Sequence, residues 1–416
     1  MLRALFIDFN SYFASVEQQL KPELRGKPIA VVPVMADTTS AIAASYEAKA
    51  FGVKTGTLIA EAKKMCPDLI LVDARHGKYV EYHHRLVDVV ESVIHVDQVM
   101  SIDEMSCELT GRMTRREVAV ELAHEIKAAI AREVGEFLRC SIGIAPNTYL
   151  AKTATDMQKP DGLIVIEKGD LPEILYSLEL RDLVGIGRKM YDRLYRNGIY
   201  TVEMLCQASK QKLRDVWGGI EGERMYQKLR GEFVPHIETR KSSISHQHVL
   251  EPNLRTPEGS AGVLHRLLQK AAMRLRSYGM VTANLYVKIS YRDNTKWKLD
   301  MELTPTQDTV QLTQALSEAL RGRPDSLERP PREREPMKVT IAFTKLYWAE
   351  ATPLPLFTNV GPGRSKLNEG LDKLNTKYGK NTVYMGTSWN AKHSAPMRIA
   401  FHHIPDLETE GDDDDD

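Results

Sequence analysis

The sequence predicts an α+β protein of several domains, and three observations lead to this prediction. The chain has 416 residues, enough for two to four domains. Residues 1–165 alternate apolar strand candidates with helix candidates, whereas residues 168–232 hold only short helical segments between glycine-rich turns. Residues beyond 241 are rich in strand-like alternation. The changes in pattern predict folded regions that follow one another along the chain.

The bulk composition is that of an ordinary globular protein, with 42% hydrophobic and 27% charged residues. No apolar run is long enough for a transmembrane helix, and the first strand begins almost at Met1. We therefore expect neither a membrane partner nor a signal peptide. The scattered cysteines fit no zinc spacing and suit a reducing compartment, so a cytoplasmic location is expected; they are Cys66, Cys107, Cys140 and Cys206.

The overall charge of zero hides an uneven distribution. Residues 1–240 carry a net charge of −2, residues 241–405 carry +10, and residues 406–416 carry −8. The positive block predicts a surface that faces nucleic acid, although a solvated basic face would have the same composition. The acidic tail, 406–416, is expected to be disordered.

Periodicity gives the elements of the first region in order. The predicted strands are Leu2–Asp8, Ile29–Val34, Leu69–Asp73, Val99–Asp103, Met105–Leu109, Cys140–Ile144 and Leu163–Ile166. The predicted helices are Ser11–Leu20, Ala41–Phe51, Gly56–Met65, Gly77–His95, Arg115–Val134 and Thr148–Met157. Residues 18 to 75 look like an insertion between the first strand and the rest of the region.

The first strand ends on a carboxylate, Asp8, and turns at once into a helix. Asn10 or Ser11 is a suitable N-cap for that helix. A carboxylate can hold Mg²⁺, and the free N–H groups of a helix start attract phosphate. An ordinary strand-to-helix corner with a solvated aspartate would have the same pattern.

A second acidic pair, Asp103 and Glu104, lies between two strand candidates. We expect it to meet Asp8 at the end of a neighbouring strand. Three converging carboxylates repel one another unless cations lie between them. Two Mg²⁺ ions about 4 Å apart are the arrangement that phosphoryl transfer uses. Because acidic pairs at strand ends are common, this pair alone is weak support.

The later regions contain helical turns and then strands. Val184-Gly185-Ile186-Gly187, followed by a helix, predicts a helix-hairpin-helix in which the backbone at Gly185 and Gly187 holds a DNA phosphate; an ordinary turn between helices is the alternative. After a linker, the predicted elements are helices Pro257–Tyr278, Val310–Arg321 and Ser365–Tyr378, strands Val281–Tyr291, Lys296–Leu303 and Val339–Tyr347, and strand-like pieces ending at Pro405.

Five ordered motifs resemble those of the Y-family translesion DNA polymerases, of the bacterial polymerase IV and polymerase V type. They are Asp8 with its aromatic helix, Tyr46-Glu47-Ala48-Lys49, Asp103-Glu104, the S-x-G-I-A-x-N-x-x-L-A-K run that starts at Ser141, and the K-P-x-G turn that starts at Lys159. The resemblance covers roughly residues 1–350. It implies template-directed, low-fidelity addition of deoxynucleotides to a primer 3′-OH past damaged template bases.

The resemblance also implies roles for individual residues. Asp8, Asp103 and Glu104 would be the catalytic ligands of two Mg²⁺ ions, with the backbone carbonyl of Phe9 as a further ligand. Phe13 resembles the steric gate, whose ring leaves no room for a ribose 2′-hydroxyl, although it also fits a helix core. The nucleotide triphosphate would be contacted by Tyr46, Lys49 and Lys159. Primer–template DNA and a deoxynucleotide are the implied partners.

The implied architecture is a right-handed polymerase with a β-rich little finger. Residues 1–17 and 76–167 would form the palm, 18–75 the fingers, 168–232 a helix-hairpin-helix thumb, 233–241 a linker, 242–350 the little finger, and 351–405 a C-terminal extension. In that extension Leu354, Leu356 and Phe357 resemble the peptide that binds the sliding clamp, with Pro353 where glutamine is usual.

Several positions depart from the family pattern. Asn10 stands where an acid is frequent, Lys49 where arginine is usual, and Ala43 where a hydroxyl residue is frequent. Lysine keeps the charge but loses the two-pronged hydrogen bonding of arginine. A non-catalytic DNA-binding adaptor therefore remains an alternative. A nucleotide cyclase with the same metal chemistry is disfavoured, because it needs neither the thumb nor the basic block.

Overall fold

The computed structural model describes residues 1–235, 240–323, 334–352, 363–379, 382–392, 394–396, 399 and 404–407. The chain divides into two compact units. The N-terminal unit comprises Met1–Ile237 with Ile399–Ile404, and the C-terminal unit comprises Glu238–Arg398 with Pro405–Asp416. Within the described part of the chain, no helix combines the length and apolar character that crossing a membrane requires.

The N-terminal unit alternates strands and helices as the periodicity predicts. Its strands are β1 (Ala4–Phe9), β2 (Ile29–Val32), β3 (Ala43–Ala44), β4 (Ile70–Asp73), β5 (Gln98–Ser101), β6 (Glu104–Glu108), β7 (Cys140–Ala145) and β8 (Leu163–Val165). Its helices are α1 (Tyr12–Leu20), α2 (Tyr46–Ala50), α3 (Ile59–Met65), α4 (His76–Val93), α5 (Arg116–Glu133), α6 (Thr148–Met157), α7 (Arg188–Arg196), α8 (Val202–Gln207), α9 (Lys210–Trp217) and α10 (Ile220–Leu229).

Strand β1 is the centre of the main sheet, whose order is β5-β6-β1-β7-β8. It pairs antiparallel with both β6 and β7, and β7 pairs parallel with β8. All six residues of β1 are buried, which explains why every one of them except Asp8 is apolar. The C-terminal end of this central strand therefore holds Asp8 between the two neighbouring strands, β6 and β7.

Helix α6 packs closely on the main sheet because position 143 lacks a side chain. A Cβ atom on Gly143 would lie 2.0 Å from the backbone oxygen of Ala151, so no other residue fits there without a backbone shift. Leu150, Ala151 and Ala154 of this helix share an apolar cluster with Phe6 of β1. The close approach brings the polar side chains of α6 to the sheet edge where Asp8 lies.

The predicted helix Ala41–Phe51 is wrong in its first half. Ala43–Ala44 forms β3, which pairs antiparallel with β2, and only Tyr46–Ala50 is helical. Ser45 ends the strand and caps the helix, since its hydroxyl accepts hydrogen bonds from the N–H groups of Ala48 and Ile29. Pairing with the buried β2 overrides the helix propensity of the alanines. A small sheet of order β3-β2-β4 results.

Ser11 occupies the N-cap position of α1, as expected, but its side chain makes no capping hydrogen bond. Its backbone is left-handed, with a φ of 50°. The chain needs this conformation to turn from β1 into α1 within two residues.

Residues 168–232 form short helices, as predicted. Gly187 is the N-cap of α7, and Gly185 has a φ of +83°, so the turn before the helix needs glycine there. The element that precedes this turn is a 3₁₀ turn, Leu180–Asp182, rather than the full helix that a helix-hairpin-helix contains. Gly198 closes α7 in a left-handed conformation, as expected from Asn197-Gly198.

The C-terminal unit is built on an antiparallel sheet of order β11-β10-β12-β9. The strands are β9 (Ser243–Val249), β10 (Met280–Tyr291), β11 (Lys296–Thr306) and β12 (Pro336–Trp348), and the helices are α11 (Pro257–Ser277), α12 (Thr309–Arg321) and α13 (Gly363–Tyr378). The inward residues of the sheet form one apolar core with α11 and α12. Strand β9 is the element that periodicity did not predict.

The end of the chain is integrated into this unit. In the described residues that follow α13, the only regular element is a 3₁₀ turn, Gly386–Ala391, so the prediction of strand-like pieces is wrong there. Gln269 of α11 donates to Ser388 and accepts from the N–H of Met385. Ala391 and Ala395 lie in the apolar core. These contacts hold the turn against α11.

Candidate active site

The three acidic side chains predicted from the sequence lie on adjacent backbone segments. Asp8 and Glu104 are directly opposed in the antiparallel pair β1–β6. The N–H of Phe9 donates to the backbone oxygen of Asp103 at 2.9 Å. Asp103 lies in the tight turn between β5 and β6, and Glu104 is the first residue of β6. A hairpin turn therefore places both acids beside the end of β1.

Two polar groups fix the turn that carries Asp103. The hydroxyl of Ser101 donates to the Asp103 carboxylate at 2.6 Å. The Nδ1 of His83 lies 2.8 Å from the backbone oxygen of Ile102. Burial lowers the pKa of His83 to about 4, so the ring is neutral and its Nδ1–H is the donor to that carbonyl. Burial, with the nearby charges of Asp8 and Glu104, raises the pKa of Asp103 to about 6.

Two lysines neutralise the carboxylates. Lys152 contacts Asp8, and its Nζ lies 2.8 Å from Oε1 of Glu104. The Nζ of Lys159 lies 2.8 Å from both Asp8 Oδ2 and Asp156 Oδ1. Burial alone would lower the pKa of Lys152, but the charges of Asp8, Glu104 and Asp156 raise it above its ordinary value. Both lysines therefore form ion pairs with the acidic group.

The donor chemistry of this group suits a divalent cation. Carboxylate oxygens are the ligands that Mg²⁺ prefers, and one ammonium already lies between Asp8 and Glu104. The carboxylate of Asp103 is turned to Ser101 instead. Accordingly, no three acidic, histidine or cysteine side chains among the described residues are gathered as ligands in this conformation. In this conformation Lys152 occupies the space between Asp8 and Glu104, and the Asp103 carboxylate is bonded to Ser101.

The other two predicted triphosphate contacts lie close to the same charges. The Nζ of Lys49 lies 4.4 Å from the centroid of the Tyr46 ring on α2. Burial and then the charge of Lys159 lower the pKa of Lys49, while Asp8 opposes the shift. Burial and then Asp8 raise the pKa of Tyr46 to about 12. The charge of Asp8 therefore affects the pKa of both Lys49 and Tyr46, and the charge of Lys159 affects that of Lys49.

Asn10 connects the end of β1 to the turn that carries Lys159. It is 2% exposed. Its Nδ2 donates to Ser141 Oγ at 3.1 Å, and its Oδ1 accepts the N–H of Asp161 at 2.8 Å. Ser141 in turn accepts from the N–H of Gly162 and donates to the backbone oxygen of Gln158. An amide meets these donors and acceptors together, which a carboxylate could not do.

Phe13, the predicted steric gate, lies in the first turn of α1. Its ring stacks on Tyr79 of α4, with centroids 4.4 Å apart and planes 13° from parallel. The neighbouring Tyr12 is buried, and its hydroxyl donates to the backbone oxygen of Tyr79 at 2.6 Å. Phe13 itself is only partly buried, so part of its ring is open to solvent.

The remaining predicted residues lie elsewhere. Gly185 and Gly187 are at the turn before α7, where a Cβ atom would meet nothing within 4 Å. The peptide with Leu354, Leu356 and Phe357 lies outside the described residues.

Sequence reasoning assigned no role to Lys152, Asp156 or Ser101. A signal was present for the first two, because Lys152, Asp156 and Lys159 follow the i, i+4, i+7 spacing of one helix face. Ser101 had no such signal, since its role depends on the shape of the hairpin turn.

Comparison with known proteins identifies the family. The model of the impB/mucB/samB family matches residues 7–156, and that of its C-terminal domain matches residues 241–354. The chain is 31% identical to DNA polymerase IV of Moorella thermoacetica over 392 residues, which are 92% of this chain and 95% of that protein. The chain belongs to the Y family of DNA polymerases. It is a DNA-directed DNA polymerase of translesion synthesis, and the predicted identity and enzyme class are confirmed.

Two further relatives support the same assignment for this Y-family polymerase. It is 32% identical to DNA polymerase IV 1 of Halalkalibacterium halodurans over 92% of this chain and 93% of that one, and 29% identical to DNA polymerase IV 1 of Bacillus subtilis over 95% of each. The enzymes of this family depend on a divalent metal.

Solved structures confirm the predicted α+β polymerase fold. A Y-family DNA polymerase chimera of Dbh and Dpo4 has a TM-score of 0.68 and is 24% identical, covering 82% of this chain and 98% of that chain. An insertion ternary complex of Dbh DNA polymerase has a TM-score of 0.55 with the same identity and coverage.

Proposed function

We propose that Asp8, Asp103 and Glu104 of this polymerase bind two Mg²⁺ ions, with the backbone carbonyl of Phe9 as a further ligand. The single observation that carries the proposal is the cross-strand pair of Asp8 and Glu104, whose carboxylates share one ammonium cation. When bound, the ions would lower the pKa of the primer 3′-OH and neutralise the leaving pyrophosphate.

The chain's own residues then bind and orient the reactants. Lys159 and Lys49 are the cations placed to hold the triphosphate of the incoming deoxynucleotide, with the Tyr46 hydroxyl as a further donor. Burial and then repulsion by Lys159 lower the pKa of Lys49, and the repulsion is consistent with a site that receives an anion. Lys159 binds Asp8 and Asp156 in this conformation. The triphosphate would replace those carboxylates as the partner of Lys159.

Phe13 is proposed as the steric gate. Its partly exposed ring lies on α1, the helix that follows Asp8 directly, so the sugar of a nucleotide held at Asp8 would meet the open part of the ring. A rigid ring leaves no room for a 2′-hydroxyl and offers it no hydrogen bond.

Primer–template DNA is the proposed partner of the turn that contains Gly185 and Gly187, and of the basic residues 241–405. Residues 1–17 with 76–167, 18–75, 168–232 and 242–350 are proposed as palm, fingers, thumb and little finger. Gly185 is left-handed, and a Cβ atom on Gly185 or Gly187 would meet nothing within 4 Å, so the turn before α7 leaves room for a phosphate to approach the backbone. Binding of the sliding clamp by Leu354, Leu356 and Phe357 stays a prediction. The four cysteines are buried and free, which suits the proposed cytoplasmic location.

The test is primer extension on undamaged and lesion-containing templates with Mg²⁺. Asp103→Ala should lower the extension rate by at least about 10³-fold, because it removes a metal ligand at the reacting atoms. Glu108→Ala is the matched control, since it removes an exposed acid from the other end of β6. Equal extension by wild type and Asp103→Ala would contradict the ligand assignment. A wild-type chain that binds primer–template but extends nothing would favour the adaptor alternative.

A further inference from the structure

The Phe13 ring is held from behind by a buried aromatic residue. Tyr79, on α4, is 0% exposed, and its ring lies parallel to that of Phe13 at 4.4 Å. The ring of His76, one turn earlier on α4, meets Phe13 edge-on at 6.1 Å. Stacked and edge-on contacts of this kind restrict both the position and the tilt of an aromatic ring. Two rings of the neighbouring helix therefore support the Phe13 ring.

Tyr79 is itself fixed by hydrogen bonds at two points. Its hydroxyl donates to Oε1 of Glu17 at 2.9 Å. Its backbone oxygen accepts from the hydroxyl of Tyr12 at 2.6 Å. Glu17 and Tyr12 both belong to α1, the helix that carries Phe13. The ring behind Phe13 is thus anchored to the same helix as Phe13, through bonds at opposite ends of the tyrosine.

The anchor contains a buried charge that is fully paired. Glu17 is 0% exposed, and Arg75 donates to both of its oxygens, at 3.1 and 2.6 Å. A carboxylate at such a depth is tolerated only with a cation and further hydrogen bonds. The burial of Tyr79 and the adjacent Glu17 charge raise the pKa of its phenol, so it stays a donor. Glu17 lies four residues after Phe13, so both side chains project from one face of α1.

Steric exclusion of a hydroxyl needs a ring that cannot yield. A 2′-hydroxyl differs from hydrogen by about one heavy atom, so an ångström of freedom at Phe13 would admit it. We infer that Tyr79, locked by Glu17 and Arg75, is a positioning residue that fixes the Phe13 ring and sets how strictly the enzyme rejects ribonucleotides. The inference rests on the proposed role of Phe13 as the steric gate.

The experiment compares single-nucleotide insertion of a dNTP and of the matching rNTP by the full chain. The readout is the kcat/KM for the dNTP divided by the kcat/KM for the rNTP. A loss of folded enzyme lowers both values equally and leaves this ratio unchanged. Tyr79→Leu removes the stacking ring and should lower the ratio by about 10-fold or more. Tyr79→Phe keeps the ring but loses the bond to Glu17, and it should lower the ratio by about threefold.

Three further variants complete the design. Glu81→Gln changes an exposed residue on α4 and should leave the ratio as in wild type. Phe13→Ala should abolish discrimination. Adding Tyr79→Leu to Phe13→Ala should change nothing more, because the positioned ring is gone. If Tyr79→Leu does not fold, Tyr79→Phe and Glu17→Gln provide the same comparison.

The outcomes separate this inference from the proposed function. If Phe13→Ala retains discrimination, Phe13 is not the gate, and both claims fail. If Phe13→Ala loses discrimination while the Tyr79 and Glu17 variants keep the wild-type ratio, the gate stands and the positioning role is overturned. A further drop in the ratio of the double variant would also overturn it, because Tyr79 would then act without Phe13.

Discussion

At the scale of single residues, Asn10 determines how the turn that carries Lys159 is attached to β1. Its amide bonds to Ser141 and Asp161, and both partners lie more than 130 positions away in the sequence. An acid at this position would lose the donor to Ser141 and add a buried charge near Asp8. The departure from the family pattern at Asn10 is therefore compatible with an intact site.

Replacing Lys152 tests whether this lysine neutralises the carboxylates of the site. Lys152→Met removes the cation between Asp8 and Glu104, so the carboxylates of the metal-free protein repel each other. We expect the free energy of unfolding without metal to fall by about 2 kcal/mol. The stabilisation produced by Mg²⁺ should increase, since the ion no longer competes with an ammonium. Thermal unfolding in EDTA and at increasing Mg²⁺ measures both effects.

The matched control for this experiment is Lys64→Met, which removes an exposed lysine from α3. It should leave both the metal-free stability and the response to Mg²⁺ as in wild type. If Lys152→Met and Lys64→Met respond to Mg²⁺ alike, Lys152 does not occupy a metal position.

The acids of the site could be predicted from the sequence, but their contacts with the neutralising lysines could not. Asp8 and Asp103-Glu104 follow apolar strands, and that pattern is local. The contact of Lys152 with Asp8 depends on how closely α6 packs on β7, which Gly143 sets through space. The stacking of Phe13 on Tyr79 likewise depends on the packing of α1 against α4. Local periodicity contains no information on either distance.

At the scale of elements, long periodic segments were predicted within a few residues, and short ones were not. Helix α6 has the predicted bounds, Thr148–Met157, because its apolar face is unambiguous. The segment 41–51 was predicted as one helix, but two of its residues pair with β2. A pairing partner a dozen positions away decides between strand and helix for such a short apolar run.

Helix α13 is expected to stabilise the C-terminal unit through one ion pair. Nε and Nη2 of Arg276 on α11 donate to the two oxygens of Asp372 at 2.6 and 2.7 Å. Its remaining nitrogen donates to Gln307 and Thr309. Asp372→Ala leaves a mostly buried guanidinium without its carboxylate, and we expect a loss of about 2 kcal/mol in the free energy of unfolding.

The neighbouring Lys373→Ala is the matched control for Asp372→Ala, because Lys373 is exposed on the same helix. Urea unfolding followed by tryptophan fluorescence measures the difference. Trp217 is the one tryptophan of the four outside the C-terminal unit, so a Trp217→Phe background makes the signal specific to that unit. Equal midpoints for the two variants would show that α13 contributes nothing through Asp372.

At the scale of the whole molecule, part of the positive charge of residues 241–405 is clustered on one face of the C-terminal sheet. Lys288, Lys296, Lys298 and Lys338 lie on the sheet face opposite α11 and α12, and Lys288 is directly opposed to Lys298. Burial and then the charges of Lys288 and Lys296 lower the pKa of Lys338. Like charges at this spacing destabilise a sheet unless an anion covers them. The DNA on which the enzyme acts carries such an anion in its phosphate backbone.

This cluster predicts how binding of primer–template depends on salt. Replacing Lys288, Lys298 and Lys338 by glutamine should lower the slope of log affinity against log salt by about 2 to 3, because each phosphate contact releases about one counterion. Fluorescence anisotropy with labelled primer–template at 50–300 mM KCl, roughly the range in which such slopes are resolved, measures it.

The control replaces Lys366, Lys373 and Lys377 of α13, which changes the net charge equally on the helical side of the unit. An equal loss of slope in both triple variants would assign the effect to overall charge and not to the sheet face.

The position of β1 also has a consequence for how the enzyme is made. Its six residues are synthesised before residues 104–108 and 140–145, the two segments with which they pair in the part of the chain that the structure describes. At bacterial elongation rates of roughly 5–20 residues per second, this apolar strand has no sheet partner for several seconds or longer. The segment that delivers Asp8 therefore needs protection from aggregation in the nascent chain, and slowing translation before residue 145 should lower the yield of folded enzyme.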